Sequence, residues 1–156
     1  MIDTSTFPAR GREVRGFRKE VEVDAPASRV FDAWTTAEGW RATFDVRAKI
    51  ELRIGGAYEI YFDEDVAEGQ KGSEGCQVLA WVPDALVVFS WNAPPGHATR
   101  ALHAWVAVRL DALSPSKTRV TLDHLGFGEG PDWDLTYAYF DRAWGKVLAR
   151  LATALA

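Results

Sequence analysis

The chain has one cysteine, Cys76, and one methionine among its 156 residues. A single thiol excludes an internal disulfide and a cysteine-based metal cage, and a lone cysteine in a strand pattern is most often a small buried hydrophobe. Basic residues are in deficit, with 18 Lys and Arg against 22 Asp and Glu for a formal charge of −4. Such a balance argues against nucleic acid as a partner, because displacing counterions from phosphates needs a basic surface. No apolar run reaches the length of a membrane span, and the opening residues contain no signal-peptide core, so the expected location is the cytoplasm. Catalytic signatures are missing too. There is no G-x-S-x-G element, and Cys76 has no recognisable activating base. His97, His103 and His124 sit in separate segments without zinc-ligand spacing. Gly126 to Gly130 precedes a helix, but it lacks the Lys-Ser/Thr ending of a phosphate loop and contains Glu129, which repels phosphate. No metal, cofactor or catalytic residue is therefore expected.

Aromatic residues are abundant: seven Trp, eight Phe and four Tyr. The length fits one domain that buries a core without staples. Residues 1–14 show no periodicity and are expected to form a flexible or loosely docked lead-in, with a single domain over 15–156. Arg10, Arg12, Arg15, Arg18 and Lys19 make that boundary basic, as a solvated edge would be. Phe17, Lys19, Val21 and Val23 alternate with Arg18, Glu20 and Glu22, the period-two signature of a strand with one face buried. Pro26 suits the first turn of a short helix carrying Val30, Phe31 and Trp34, and Thr36 suits the cap of a second whose Trp40 turns inward. From Val46 onward alternation predicts about six more strands: 46–52, 58–63, 77–82, 85–91, 101–110 and 118–125. Glu64, Asp65 and Glu68 fall in a polar loop after the third strand and read as solvated charge.

The last segment, 131–156, carries Trp133, Tyr137, Phe140, Trp144, Leu148, Leu151 and Leu155 at helical spacing. One long apolar stripe must be buried, and only strands are available to bury it. The order implies an α+β helix-grip: a curved antiparallel sheet of about seven strands around a long C-terminal helix, with two short helices after the first strand.

Residues 21–26, Val30 to Thr36, Trp40, Ile54-Gly55-Gly56, Gly75, Val78-Leu79, Phe89-Ser90-Trp91, 118–127 and Trp144 with Leu148 and Leu151 resemble the START/birch-pollen-allergen-like (SRPBCC) superfamily. The resemblance is nearest to the branch of the C-terminal domain of the Aha-type activator of a heat-shock-protein ATPase. It implies a seven-stranded sheet gripping the C-terminal helix over a hydrophobic cavity. It implies no single function, since members bind lipids and other apolar ligands, act as cyclases, or bind chaperones.

The candidate ligand-binding residues are Trp34, Trp40, Tyr58, Phe62, Trp91, His124, Phe127, Tyr137, Phe140 and Trp144. Pattern alone assigns each aromatic to plain core ahead of cavity wall; their number, together with the resemblance, favours a pocket holding several of them. His124 shares a strand face with Val120 and Leu122, where it either orients a ligand or is a buried histidine satisfied by a backbone partner. The leading expectation is a pocket for a small hydrophobic molecule, whether lipid-like, aromatic or polyketide-like. One alternative is a chaperone-binding module acting on a heat-shock ATPase. Another is a cyclase or dehydratase using His124 as acid or base. A free edge strand or an exposed Trp patch would invite a homodimer.

Overall fold

The computed structural model describes residues 3–7 and 14–156; the remainder of the expected lead-in, including Arg10 and Arg12, lies outside the described residues. The chain runs β1 (Arg15–Val23), α1 (Ala27–Thr35), α2 (Ala37–Phe44), β2 (Arg47–Ile50), β3 (Tyr58–Tyr61), β4 (Val78–Val82), β5 (Leu86–Trp91), β6 (Ala104–Ser114), β7 (Lys117–Phe127) and α3 (Pro131–Leu155). All strand pairs are antiparallel. Five strands form one sheet in the order β1-β7-β6-β5-β4, while β2 and β3 form a two-stranded ribbon. Ribbon and sheet are joined where Ala57 bridges Gln77 and where Gly55 and Val78 exchange backbone hydrogen bonds with their neighbours across the gap. The seven strands thus make a curved α+β helix-grip, split between β3 and β4.

Local chemistry accounts for the helix starts. Pro26 is the N-cap residue of α1, and the Thr36 hydroxyl accepts a hydrogen bond from Gly39 N–H to cap α2. Pro131 opens α3, where a missing N–H costs nothing. Inward residues of β5, β6 and β7, among them Phe89, Val106, Val108, Val120 and Leu122, join Leu148, Leu151 and Leu155 of α3 and Val30 and Trp34 of α1 in a single core. No helix among the described residues is long and apolar enough to cross a membrane.

The outer face of β7 is also covered. Asp123 is 8% exposed, held by the Arg18 guanidinium at 2.7 and 3.1 Å with Arg109 at 3.9 Å. The basic boundary is therefore partly a clamp on the sheet as well as a solvated edge. At the N-terminus, Phe7 packs edge-on against Trp133, and Trp133 Nε1 donates to the Thr6 hydroxyl at 3.1 Å.

Several strand boundaries differ from the alternation pattern: β6 runs Ala104–Ser114 against the predicted 101–110, β7 extends over Lys117–Phe127, and of two further differences one shapes the site. The strand expected over 46–52 stops at Ile50, leaving Leu52 exposed. The strand expected over 58–63 stops at Tyr61, so Phe62 leaves the ladder and is 53% exposed. Tyr61, placed on the outer face by alternation, is buried, its hydroxyl donating to Glu59 at 2.6 Å and the Arg47 guanidinium lying over its ring. A cation stacked on the ring covers an outward face that alternation alone assigns to water.

Candidate functional site

A cavity of about 280 Å³ opens between the loop after β3, the end of β5 and the middle of α3. Phe62, Trp91, Phe140 and Trp144 supply its aromatic walls, and Ala93, Pro94, Pro95, Ala143 and Val147 most of the remaining apolar surface. Trp91 and Trp144 lie 5.4 Å apart between ring centroids, Phe62 and Trp91 6.3 Å and nearly perpendicular, and Phe140 and Trp144 6.5 Å and nearly stacked. Broad rings meeting at such angles do not fill space, and the unfilled part opens on the side that β3 abandons at Phe62.

Trp34, Trp40 and Tyr58 do not line this cavity. They form a sealed cluster beneath it, in which Tyr58 Oη donates to the Trp34 carbonyl at 2.6 Å and Trp40 Nε1 reaches the same carbonyl and Tyr58 Oη, each at 3.2 Å. Burial drives the Tyr58 phenol far above its ordinary pKa, so it stays protonated.

His124, Phe127 and Tyr137 form a second packed group, behind Trp144. His124 is 0% exposed, and its Nδ1 accepts the Trp144 Nε1 hydrogen at 2.9 Å. The partner is an indole and not the backbone group expected for a buried histidine. An accepting Nδ1 places the proton of the neutral ring on Nε2, which has no hydrogen-bonding partner among the described residues; the ring sits among Phe17, Phe127 and Phe140 with centroid separations of 4.5 to 5.7 Å. Burial pushes the imidazole down to about 3, so the ring is neutral at physiological pH. Its service to the cavity is to fix the Trp144 ring. Tyr137 is half-buried, with Arg15 over its ring.

The structure also assigns to the site residues that the periodicity did not single out. Tyr139, Ala143 and Val147 recur at steps of four, a second, narrower stripe that turns the cavity-facing side of α3 about one position from the main one. Gln70, Lys71, Gly72 and Ser73 form one rim, and Asn92 to Pro95 the opposite rim. Arg100 ties the rims together. Its Nη1 donates to the Ala93 carbonyl at 2.5 Å, and Nη2 to the Gly69 and Gly72 carbonyls at 2.6 and 2.9 Å. Glu74 sits 3.6 Å from the same guanidinium and accepts the Gly72 and Lys71 N–H groups at 2.6 and 3.1 Å. Burial opposes ionisation of Glu74, but these backbone donors outweigh it and hold the carboxyl below its usual range. Gly72 is required where it stands, since a Cβ there would lie 1.9 Å from the Ile60 carbonyl oxygen. Glu64, Asp65 and Glu68 remain exposed on the tip of this loop, Glu64 paired with Arg47. Cys76 is buried, and burial pushes its thiol up to about 12, which removes it as a nucleophile.

An antiparallel sheet gripping a long terminal helix, with an apolar cavity left beside that helix, is the START-like architecture. The chain belongs to the family described as Activator of Hsp90 ATPase homolog 1-like protein, whose model matches residues 24–156. No curated protein matches it. Among solved structures, a protein from Mesorhizobium loti is similar at 20% identity, covering 90% of this chain and 96% of its own, with a TM-score of 0.69. The Aha1 dimer from Colwellia psychrerythraea aligns at 16% identity over 90% of this chain and 96% of that one, with a TM-score of 0.63. An HSP90 activator from Plasmodium falciparum aligns at 15% identity over 84% and 88%, with a TM-score of 0.62. At these identities the likeness is one of fold.

Proposed function

We propose that this protein binds a small apolar molecule in the cavity between the 62–75 loop, the end of β5 and α3. The observation that carries this reading is the cavity itself: about 280 Å³ kept open in a domain that seals Trp34, Trp40, Tyr58, Phe89 and Phe127 to 0–1% exposure. Removing a ligand from water into it contributes roughly 2.5 kcal/mol per 100 Å² of apolar surface, before ordering costs are subtracted. Phe62, half-exposed at the mouth, would close over the ligand. Because Trp91 and Trp144 form the walls, tryptophan fluorescence reports occupancy directly. Titration with a panel of fatty acids, sterols and polycyclic aromatics should give a saturable change. A panel that leaves the emission unaltered at every concentration ends this reading.

A second reading is favoured by the family itself and by the fold shared with an HSP90 activator. Here the domain docks on a heat-shock ATPase through the exposed acidic tip around Glu64, Asp65 and Glu68. Purified ATPase should then be retained on the immobilised chain and released by charge reversal at the tip. The cyclase or dehydratase reading gains nothing from the geometry, because His124 is sealed away from the cavity and its Nδ1 is committed to Trp144.

A further inference from the structure

The cavity's polar groups narrow what it can hold. Ser73 has both functions of its hydroxyl engaged, accepting from Ile60 N–H at 2.7 Å and donating to the Tyr58 carbonyl at 3.2 Å. Lys71 is paired with Glu68 at 3.1 Å, and Asp63 and Gln70 are exposed at the rim. Asn92 differs from all of these. It lines the cavity and is only 6% exposed, yet its side chain makes a single hydrogen bond with the described residues, from Nδ2 to the Glu74 carbonyl at 3.3 Å. Among the described residues the carboxamide oxygen and the second amide hydrogen are uncommitted, and the oxygen is not sealed from open space. A carboxamide offers an acceptor and a donor side by side, which a hydroxyl can meet in either sense because it both gives and takes a hydrogen bond.

Charge and size complete the description. Asp63 and Lys71 line the cavity with opposite charges, Lys71 is already paired with Glu68 outside it, and an ion of either sign would lose hydration against aromatic walls, so a neutral molecule is favoured. An apolar cavity of roughly 150 Å³ holds one benzene. The present one, at about 280 Å³, has room for about two fused rings. We propose that the site selects a neutral aromatic molecule of two fused rings bearing a hydroxyl, its rings against Trp91 and Trp144 and its hydroxyl on the Asn92 carboxamide. This specificity rests on the ligand-binding reading above.

Calorimetric titration of the full chain at neutral pH with 2-naphthol, 2-methoxynaphthalene and 2-naphthoate tests it. The methyl ether keeps the rings and removes the donor; the carboxylate adds charge. The hydroxyl compound should bind about tenfold more tightly than either analogue, the loss expected when a buried polar partner goes unpaired. In Asn92→Leu the advantage of naphthol over its ether should shrink to within about twofold, with the ether still binding. Because the ether comparison uses the unaltered protein, a variant that misfolds does not spare the proposal. Equal binding of naphthol and ether, or tighter binding of the naphthoate, overturns it and leaves the ligand-binding reading standing. If all three probes fail while a member of the fluorescence panel binds, only the proposed specificity falls; if nothing binds, both fall.

Discussion

Trp144 divides the aromatic interior, and the rings on its two sides are fixed by different means. Towards His124, Phe127 and Phe17, rings pack with centroids 4.5 to 5.7 Å apart around His124, and the indole N–H is engaged by imidazole. Towards Trp91 and Phe62, rings meet at open angles and the chain leaves space. The residue types are alike on both sides. What differs is the backbone behind them: β7 continues to Phe127 on the closed side, whereas β3 ends at Tyr61 on the open one. Whether an aromatic cluster becomes core or cavity is thus decided by how far the strand beneath it runs.

The sharpest way to break this contrast is to damage the other sealed cluster, that of Trp34, Trp40 and Tyr58. Trp40→Ala removes a 1% exposed indole from the sealed cluster and should cost about 3–5 kcal/mol, read from the shift in urea midpoint. A loss below about 1 kcal/mol would mean that this cluster is as loose as the cavity.

Acid should act on the closed side next most strongly. The His124 pKa is depressed from 6.5 to about 3 in the folded protein, so the unfolded chain takes up the proton first as pH falls. The stability linked to this group is complete above about pH 6.5 and is lost progressively down to about pH 3. The slope within that window approaches about 1.4 kcal/mol per pH unit. Comparing urea midpoints of the native chain and His124→Gln at pH 6 and pH 4 isolates the effect, since the carboxylates are common to both. Parallel pH profiles would show that the imidazole is not held neutral.

Arg100→Met tests what maintains the open side. Three carbonyls lose a charged donor, at a cost of about 1–3 kcal/mol. Amide exchange should accelerate in residues 69–74 and 92–95 while the strands β6 and β7 stay protected. Arg100→Lys should rescue only part of this, because an ammonium cannot span three carbonyls in one plane. Uniform acceleration across the domain would instead make Arg100 a general stabiliser.

The smallest change in stability is expected from Phe62→Ala, under about 1 kcal/mol because the ring is already half in water. Its effect should appear in ligand affinity, as a severalfold weakening in the fluorescence titration. A large drop in urea midpoint with unchanged affinity would reverse the roles assigned to the two sides.

The order of elements was legible from periodicity because each has one buried face, and the α3 stripe and the Thr36 cap are local features. Phe62, Trp91, Phe140 and Trp144 could be nominated from their bulk and positions. The pattern had no way to separate them from Trp34, Trp40 and Tyr58, which are equally bulky and inward-facing but are 0–1% exposed and do not line the cavity. Arg100, Glu74 and Asn92 were invisible for another reason. Their roles consist of hydrogen bonds between loops distant in sequence, and such bonds leave no periodic trace. The Trp144–His124 bond is likewise a tertiary fact, although the buried face of His124 was readable from Val120 and Leu122.

The guanidinium that joins the two rims never reaches the space it helps to define. Three carbonyls from two loops converge on one side chain, so the width of the opening hangs on a residue outside the wall. Altering that residue is a route to resizing the chamber for other guests while the aromatic lining is left untouched.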